Sequence, residues 1–106
     1  MIVGKVVGNV WATRKEEALN GLKLLVIKPM DYYREVDLQT FVAVDRVGAG
    51  IGETVLVVQG SSARKAVGKV EAPVDATVVG IIDEVEINND IEGWKGGRYG
   101  AHSKNI

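Results

Sequence analysis

Apolar residues in this chain either alternate with polar ones or run unbroken for several positions, and they hold no helical spacing for long. The pattern predicts strands. Residues 2–10 read as the first. Gly4 and Gly8 have even spacing within it, which places them on one face with Ile2, Val6 and Val10. Glycines so placed allow strong curvature or a close backbone approach. A polar connection follows over 13–21 and ends in the turn signal Asn20-Gly21. Residues 22–28 predict a second strand, stopped by Pro29, and residues 30–37 a polar loop carrying Tyr32 and Tyr33. Residues 39–46 predict a third strand and 53–59 a fourth, joined by the glycine turn Val47-Gly48-Ala49-Gly50-Ile51-Gly52.

Residues 60–68 suit one or two helical turns, with a serine capping the start and Gly68 ending it; a serine-rich loop is the other reading. A long strand is expected over 76–87, bent or bulged at Gly80. After Asn89 the composition changes. Residues 91–106 are rich in glycine and charge and carry Trp94, Tyr99 and His102. They read as a disordered end, or as an arm that docks on a neighbouring subunit. The expected organisation is one domain over 1–90 and a tail over 91–106. Short strands at this spacing predict an all-β fold, a small five-stranded Greek-key barrel of the OB type with one short helix.

Residues 22–27, 54–58 and 76–82 are apolar on both strand faces. A small barrel with a solvated exterior should alternate, so something must cover the outside. With few helices predicted, other subunits are the natural cover, which points to an obligate oligomer. A sandwich whose own loops cover those faces is the alternative.

Composition narrows the function. At 106 residues the chain can bury roughly 65% of its unfolded surface, enough for one modest core. The valine- and isoleucine-rich apolar set favours pleated sheet. Thirteen basic residues against fourteen acidic give a formal charge of −1, without the basic excess of a typical nucleic-acid binder. There is no cysteine, which removes disulfides and thiolate metal sites and suits a reducing compartment. The N-terminus lacks a basic n-region, and no run approaches about 18 apolar residues. The expectation is a cytoplasmic protein with no membrane partner.

The glycine turn superficially matches a dinucleotide fingerprint. That fingerprint needs a helix directly after the glycines, whereas Thr54–Val58 is β-branched and reads as strand, and the spacing is G-x-G-x-G. A hairpin turn, or a loop whose glycines let identical copies crowd a symmetry axis, fits better. Residues 70–80 share features with the opening of a biotinyl or lipoyl carrier domain, but no hairpin displays a lysine between hydrophobic strands. For catalysis there is one histidine, His102, in the tail, and no histidine is local to Ser61 or Ser62. Asp83, Glu84 and Glu86 divide between two strand faces and read best as solvated. No cofactor, metal or acid–base pair is assigned. Nucleic-acid binding on an OB surface would use aromatics on strand faces, and only Phe41 lies mid-strand.

Several segments together resemble the bacterial microcompartment vertex proteins of the EutN/CcmL type. They are Met1–Val10, Asn20–Leu25, Val47–Glu53, Gly60–Arg64 and Pro73–Asp83, in order over residues 1 to about 90. The resemblance implies a small barrel assembled as a cyclic pentamer, placed at the five-fold vertices of a proteinaceous shell among hexameric shell proteins. It implies a structural role, not an enzyme. Five copies of Gly48, Ala49, Gly50, Ile51 and Gly52 would then converge on a central pore. Ser61, Ser62, Arg64, Asp75 and Asp83 become subunit-interface candidates, with Arg64 meeting Asp75 or Asp83 across the boundary. The rival reading is an OB-like module binding nucleic acid or another ligand. A small enzyme using the acidic group is weaker.

Overall fold

The computed structural model describes residues 1–12, 15, 17–68 and 73–88; the tail over 91–106, with Trp94, Tyr99 and His102, lies outside the described residues. Five strands close into a barrel: β1 (Ile2–Val10), β2 (Lys23–Pro29), β3 (Phe41–Asp45), β4 (Thr54–Gln59) and β5 (Ala76–Ile81). Around the barrel the order is β1-β2-β3-β5-β4. Closure leaves no sheet edge to pair with foreign strands. The pairs are antiparallel except β3 with β5, which run parallel through Val44–Thr77 and Asp45–Val78. A parallel pair needs a crossover, and α1 (Ser61–Val67) lies on that connection.

Alternation fills the barrel. Val6, Leu25, Ile27, Ala43, Val55, Val57 and Val78 are all at most 1% exposed and form one core cluster. Each fully buried Val, Leu or Ile contributes roughly 1.5–3 kcal/mol relative to leaving it in water. A second cluster lies outside the barrel. Ala63 and Val67 of α1 pack with Val44 and Val74, and Leu19, Leu22, Leu24 and Val58 close around them. Thr77 also faces outward, yet it is fully buried under α1, where its hydroxyl donates to the Ala63 carbonyl at 2.8 Å.

The chain's own helix and the 3-10 turn Glu17–Leu19 thus cover part of the two-sided apolar surface that the sequence assigns to other subunits. Elsewhere on the barrel some apolar surface stays exposed. Val42 is 46% and Val7 47% exposed, and Val26 sits between their strands, paired with both Val42 and Gly8.

Four expectations need correction. Gly4 and Gly8 do not share a face. The β1–β2 register slips between Val6 and Gly8, so Val7 is an extra residue and the parity of β1 reverses there. Gly4 points inward, where a Cβ would lie 2.5 Å from the Ile27 side chain and 3.0 Å from the Lys28 carbonyl oxygen. Gly8 points outward beside Val26, at an ordinary 3.7 Å. Second, β5 ends at Ile81 instead of 87. Its last link is the Ile82 amide to the Thr54 carbonyl at 2.8 Å, and β4 offers no residue beyond Thr54 to pair with. Third, no serine caps α1. Gly60 holds the cap position at φ 64°, ψ −139°, with no side-chain cap bond, and Ser61 and Ser62 already lie in the first turn. Gly68 does end the helix in the left-handed region at φ 82°, its amide reaching the Arg64 and Lys65 carbonyls. Fourth, β2 does stop at Pro29, but Pro29 is itself the last residue of the strand, opposite Gly4, and not the first residue after it. A bulge does fall beside Gly80: Leu56 pairs with Gly80 and Val57 with Val78, leaving Val79 extra.

Candidate functional site

The glycine turn joins β3 to β4, and carboxylates clamp both of its ends. Asp45, the last residue of β3, accepts from the Val47, Gly48 and Ala49 amides at 3.0, 3.1 and 3.3 Å through one oxygen. Glu53, just before β4, accepts from the Gly50 amide at 2.6 Å. The Gly52 amide donates to the Val6 carbonyl at 2.8 Å, and the Glu53 amide to the Gly50 carbonyl at 3.1 Å. Val6 returns a bond to the Glu53 carbonyl at 2.9 Å, so the turn is also tied to β1. Gly48 and Gly52 sit at φ 79° and 92°, where glycine carries little strain and other residues much more.

This arrangement decides the phosphate question. A phosphate cradle needs convergent backbone N–H groups free to meet the ligand. Here the amides of residues 47–50, 52 and 53 are already bonded within the protein. No helix begins at the turn either; β4 does. The nucleotide reading fails on geometry.

The five axis candidates are not equivalent. Ile51 is 63% exposed, and Gly48 and Gly52 are exposed. Gly50 is half-buried, with space for a Cβ 3.5 Å from the Glu53 carboxylate. Ala49 is fully buried in the barrel core, so only its backbone is presented, and the Lys23 ammonium donates to its carbonyl at 3.3 Å. The turn therefore presents Ile51 and bare backbone on a rigid base.

The interface candidates fall on two regions. Ser61 and Ser62 are exposed on the first turn of α1. Arg64 is half-buried and reaches back to the Val74 carbonyl at 3.4 Å, next to the exposed Asp75. The Asp75 carbonyl also accepts from the Gly60 amide at 2.9 Å, which fixes the start of the helix against this segment. Asp83 is exposed just past the opposite end of β5. The structure thus gathers Ser61, Ser62, Arg64 and Asp75 and leaves Asp83 apart. Among the described residues no three His, Cys, Asp or Glu side chains group as metal ligands.

Asp45, Glu53 and Val7 were missed by sequence reasoning. For Asp45 a signal existed: an aspartate followed by a glycine three residues on is an Asx-turn pattern. Val7 had none, because one extra residue does not disturb a run of valines.

The family model for ethanolamine utilisation protein EutN/carboxysome matches residues 1–83. The chain is 51% identical to the bacterial microcompartment shell vertex protein GrpN of Rhodospirillum rubrum, over 84% of its own length and all of that protein. The solved GrpN pentameric microcompartment shell protein from Rhodospirillum rubrum superposes with a TM-score of 0.74 at 48% identity, covering 83% of this chain and all of that one. The carboxysome subunit CcmL superposes with a TM-score of 0.77 at 45% identity, covering 84% of this chain and 93% of that one.

Proposed function

The chain belongs to the EutN/carboxysome family of shell proteins, and from that membership we propose that it is a pentameric vertex subunit of a bacterial microcompartment shell. The observation that carries this reading is identity across the whole of a named shell vertex protein whose solved form is pentameric. Its role is structural instead of catalytic, and its place is the shell.

Five-fold symmetry is what the assembly requires. A flat sheet of hexameric units cannot close, and pentamers at the vertices supply the curvature. A five-membered ring is built head to tail, so each subunit offers two different surfaces. The apolar row Val7–Val26–Val42 supports one of them, because Val7 and Val42 stay about half exposed in the lone subunit, with the half-buried Val26 between them. Arg64 beside Asp75 supports a polar part of the contact, where arginine can hold a neighbour's carboxylate bidentately. The clamped turn over Gly48–Gly52 faces the five-fold axis in this reading, with Ile51 at the opening. Hexameric shell proteins surround the ring, and nucleic acid is not a partner.

Assembly tests it. Hexameric shell proteins co-expressed with this chain should give closed polyhedra containing it, seen by electron microscopy. Without it they should give open or elongated sheets. Closed shells of unchanged shape without the chain, and no incorporation when it is present, would refute the vertex role.

A further inference from the structure

Asn20 and Gly21 take no part in the shell reading, but the fold sets them out for chemistry of their own. They form the centre of a tight turn between the 3-10 turn Glu17–Leu19 and β2. The Leu22 amide closes it on the Leu19 carbonyl at 3.1 Å, and the Asn20 amide donates to the Glu17 carbonyl at 3.0 Å. Both residues are exposed. Gly21 sits at φ 82°, with open space where a Cβ would stand. Among the described residues no backbone bond holds the Gly21 amide, and none hydrogen-bonds the Asn20 carboxamide.

An asparagine carboxamide lies one five-membered ring away from the backbone nitrogen that follows it. A side chain on the following residue hinders closure of that ring, and Gly21 has none. The Gly21 nitrogen bonds to Asn20 Cγ and gives up its proton; the Cγ–Nδ2 bond breaks, and the amide nitrogen leaves as ammonia with that proton. The resulting succinimide takes up one water. Breaking the bond from Cγ to the Gly21 nitrogen leaves aspartate. Breaking the bond from the backbone carbonyl leaves isoaspartate, whose main chain runs through the side-chain carbon.

We propose that Asn20-Gly21 is a spontaneous modification site of the folded protein, where water converts the asparagine to aspartate and isoaspartate. Ring closure requires the Asn20–Gly21 peptide to rotate out of the turn. One backbone bond, from Leu22 to Leu19, stands across that motion. A single bond of this kind slows the reaction by no more than about tenfold against the unfolded chain. Asn9 is the internal contrast. It is exposed too, but it lies in β1 opposite Leu25 and is followed by the β-branched Val10.

The consequence is mechanical. Isoaspartate adds a carbon to the main chain of the turn. Leu19 and Leu22 flank that turn, and both pack on the cluster that Ala63 and Val67 of α1 help to form. Lengthening the chain between them pulls this packing out of register. The site is independent of the vertex reading, since it requires only the fold of one subunit.

Time courses of the full chain at mildly alkaline pH, folded and in urea, test this by peptide mapping with mass spectrometry. The folded protein should lose Asn20 at no less than about one tenth of the unfolded rate. Two products of equal mass should form, and isoaspartyl methyltransferase should label one of them. Asn9 should stay intact in the folded protein over the same period. Asn20→Gln should abolish labelling at this turn, because its longer side chain closes a ring far more slowly. Folded-state loss of Asn20 as slow as that of Asn9, or loss without isoaspartate, would overturn the proposal. Urea midpoints separate charge from backbone. The aged parent should fall below an equally aged Asn20→Asp variant, which carries the charge without the extra main-chain carbon. Equal midpoints would overturn the mechanical consequence.

Discussion

Asp45 accepts from the backbone amide of Gly48 at 3.1 Å while Gly48 sits at φ 79°. The carboxylate and the left-handed glycine specify one turn together. Asp45→Ala removes the acceptor for three amides and should cost about 1–2 kcal/mol, in the range of a lost helix cap. Asp45→Asn keeps an acceptor and should cost less. Urea midpoints order the three proteins, and amide exchange at Val47, Gly48 and Ala49 should quicken in the alanine variant. Equal midpoints would mean that the clamp contributes nothing.

Gly4 and Gly8 give a sharper test, because the bulge at Val7 places them on opposite faces. A Cβ at residue 4 meets the fully buried Ile27 at 2.5 Å and cannot be relieved by a flexible surface chain. Gly4→Ala should therefore destabilise by about 1–3 kcal/mol, as overpacking does. Gly8→Ala meets Val26 at 3.7 Å and should be near neutral in stability of the fold. Equal losses at both positions would contradict the register.

The outer row bears on assembly. Val42 is 46% exposed, so Val42→Glu should leave the barrel's circular dichroism intact. Buried between subunits, the same carboxylate would face apolar surface without a partner, which costs several kcal/mol. Sedimentation should show the ring dissociating at concentrations where the parent stays associated. An undiminished ring would move the interface elsewhere.

Acid should loosen one loop selectively. The amide of Tyr33 and then the side chain of Arg34 hold the Asp31 carboxyl below its ordinary value. A depressed folded-state pKa gives stability that is present above the unfolded value and is lost as pH falls through the folded one. The loop contribution is therefore complete at neutral pH and disappears only in strong acid. The Tyr33 and Arg34 amide shifts, followed by NMR, should titrate below the aspartate range of unfolded peptides and stop titrating there in Asp31→Asn.

Much of the barrel was legible in the chain. The cores of β2, β3 and β4 follow from short, β-branched apolar runs around Leu25, Ala43 and Val57, and Gly68 announced the helix end. What escaped depends on partners distant in sequence. Asp83–Ile87 alternates like a strand, but β4 has no residue left to pair with it. Leu24 and Val58 look like an interface until they are seen packed against the cluster that Ala63 and Val67 of α1 help to form. A bulge such as Val7 appears only when two strands are aligned. At the candidate site the exposed glycines could be read, and the carboxylates that fix them could have been. Ala49 turned inward for a reason no spacing reveals: it completes the barrel core.

The central claim concerns the number five, and native mass spectrometry of the unmodified protein tests it most directly. The account predicts a dominant species at five times the 11.4 kDa chain mass, stable on dilution to micromolar concentration. A protein that remains a monomer, or closes as a ring of any other number, would contradict it.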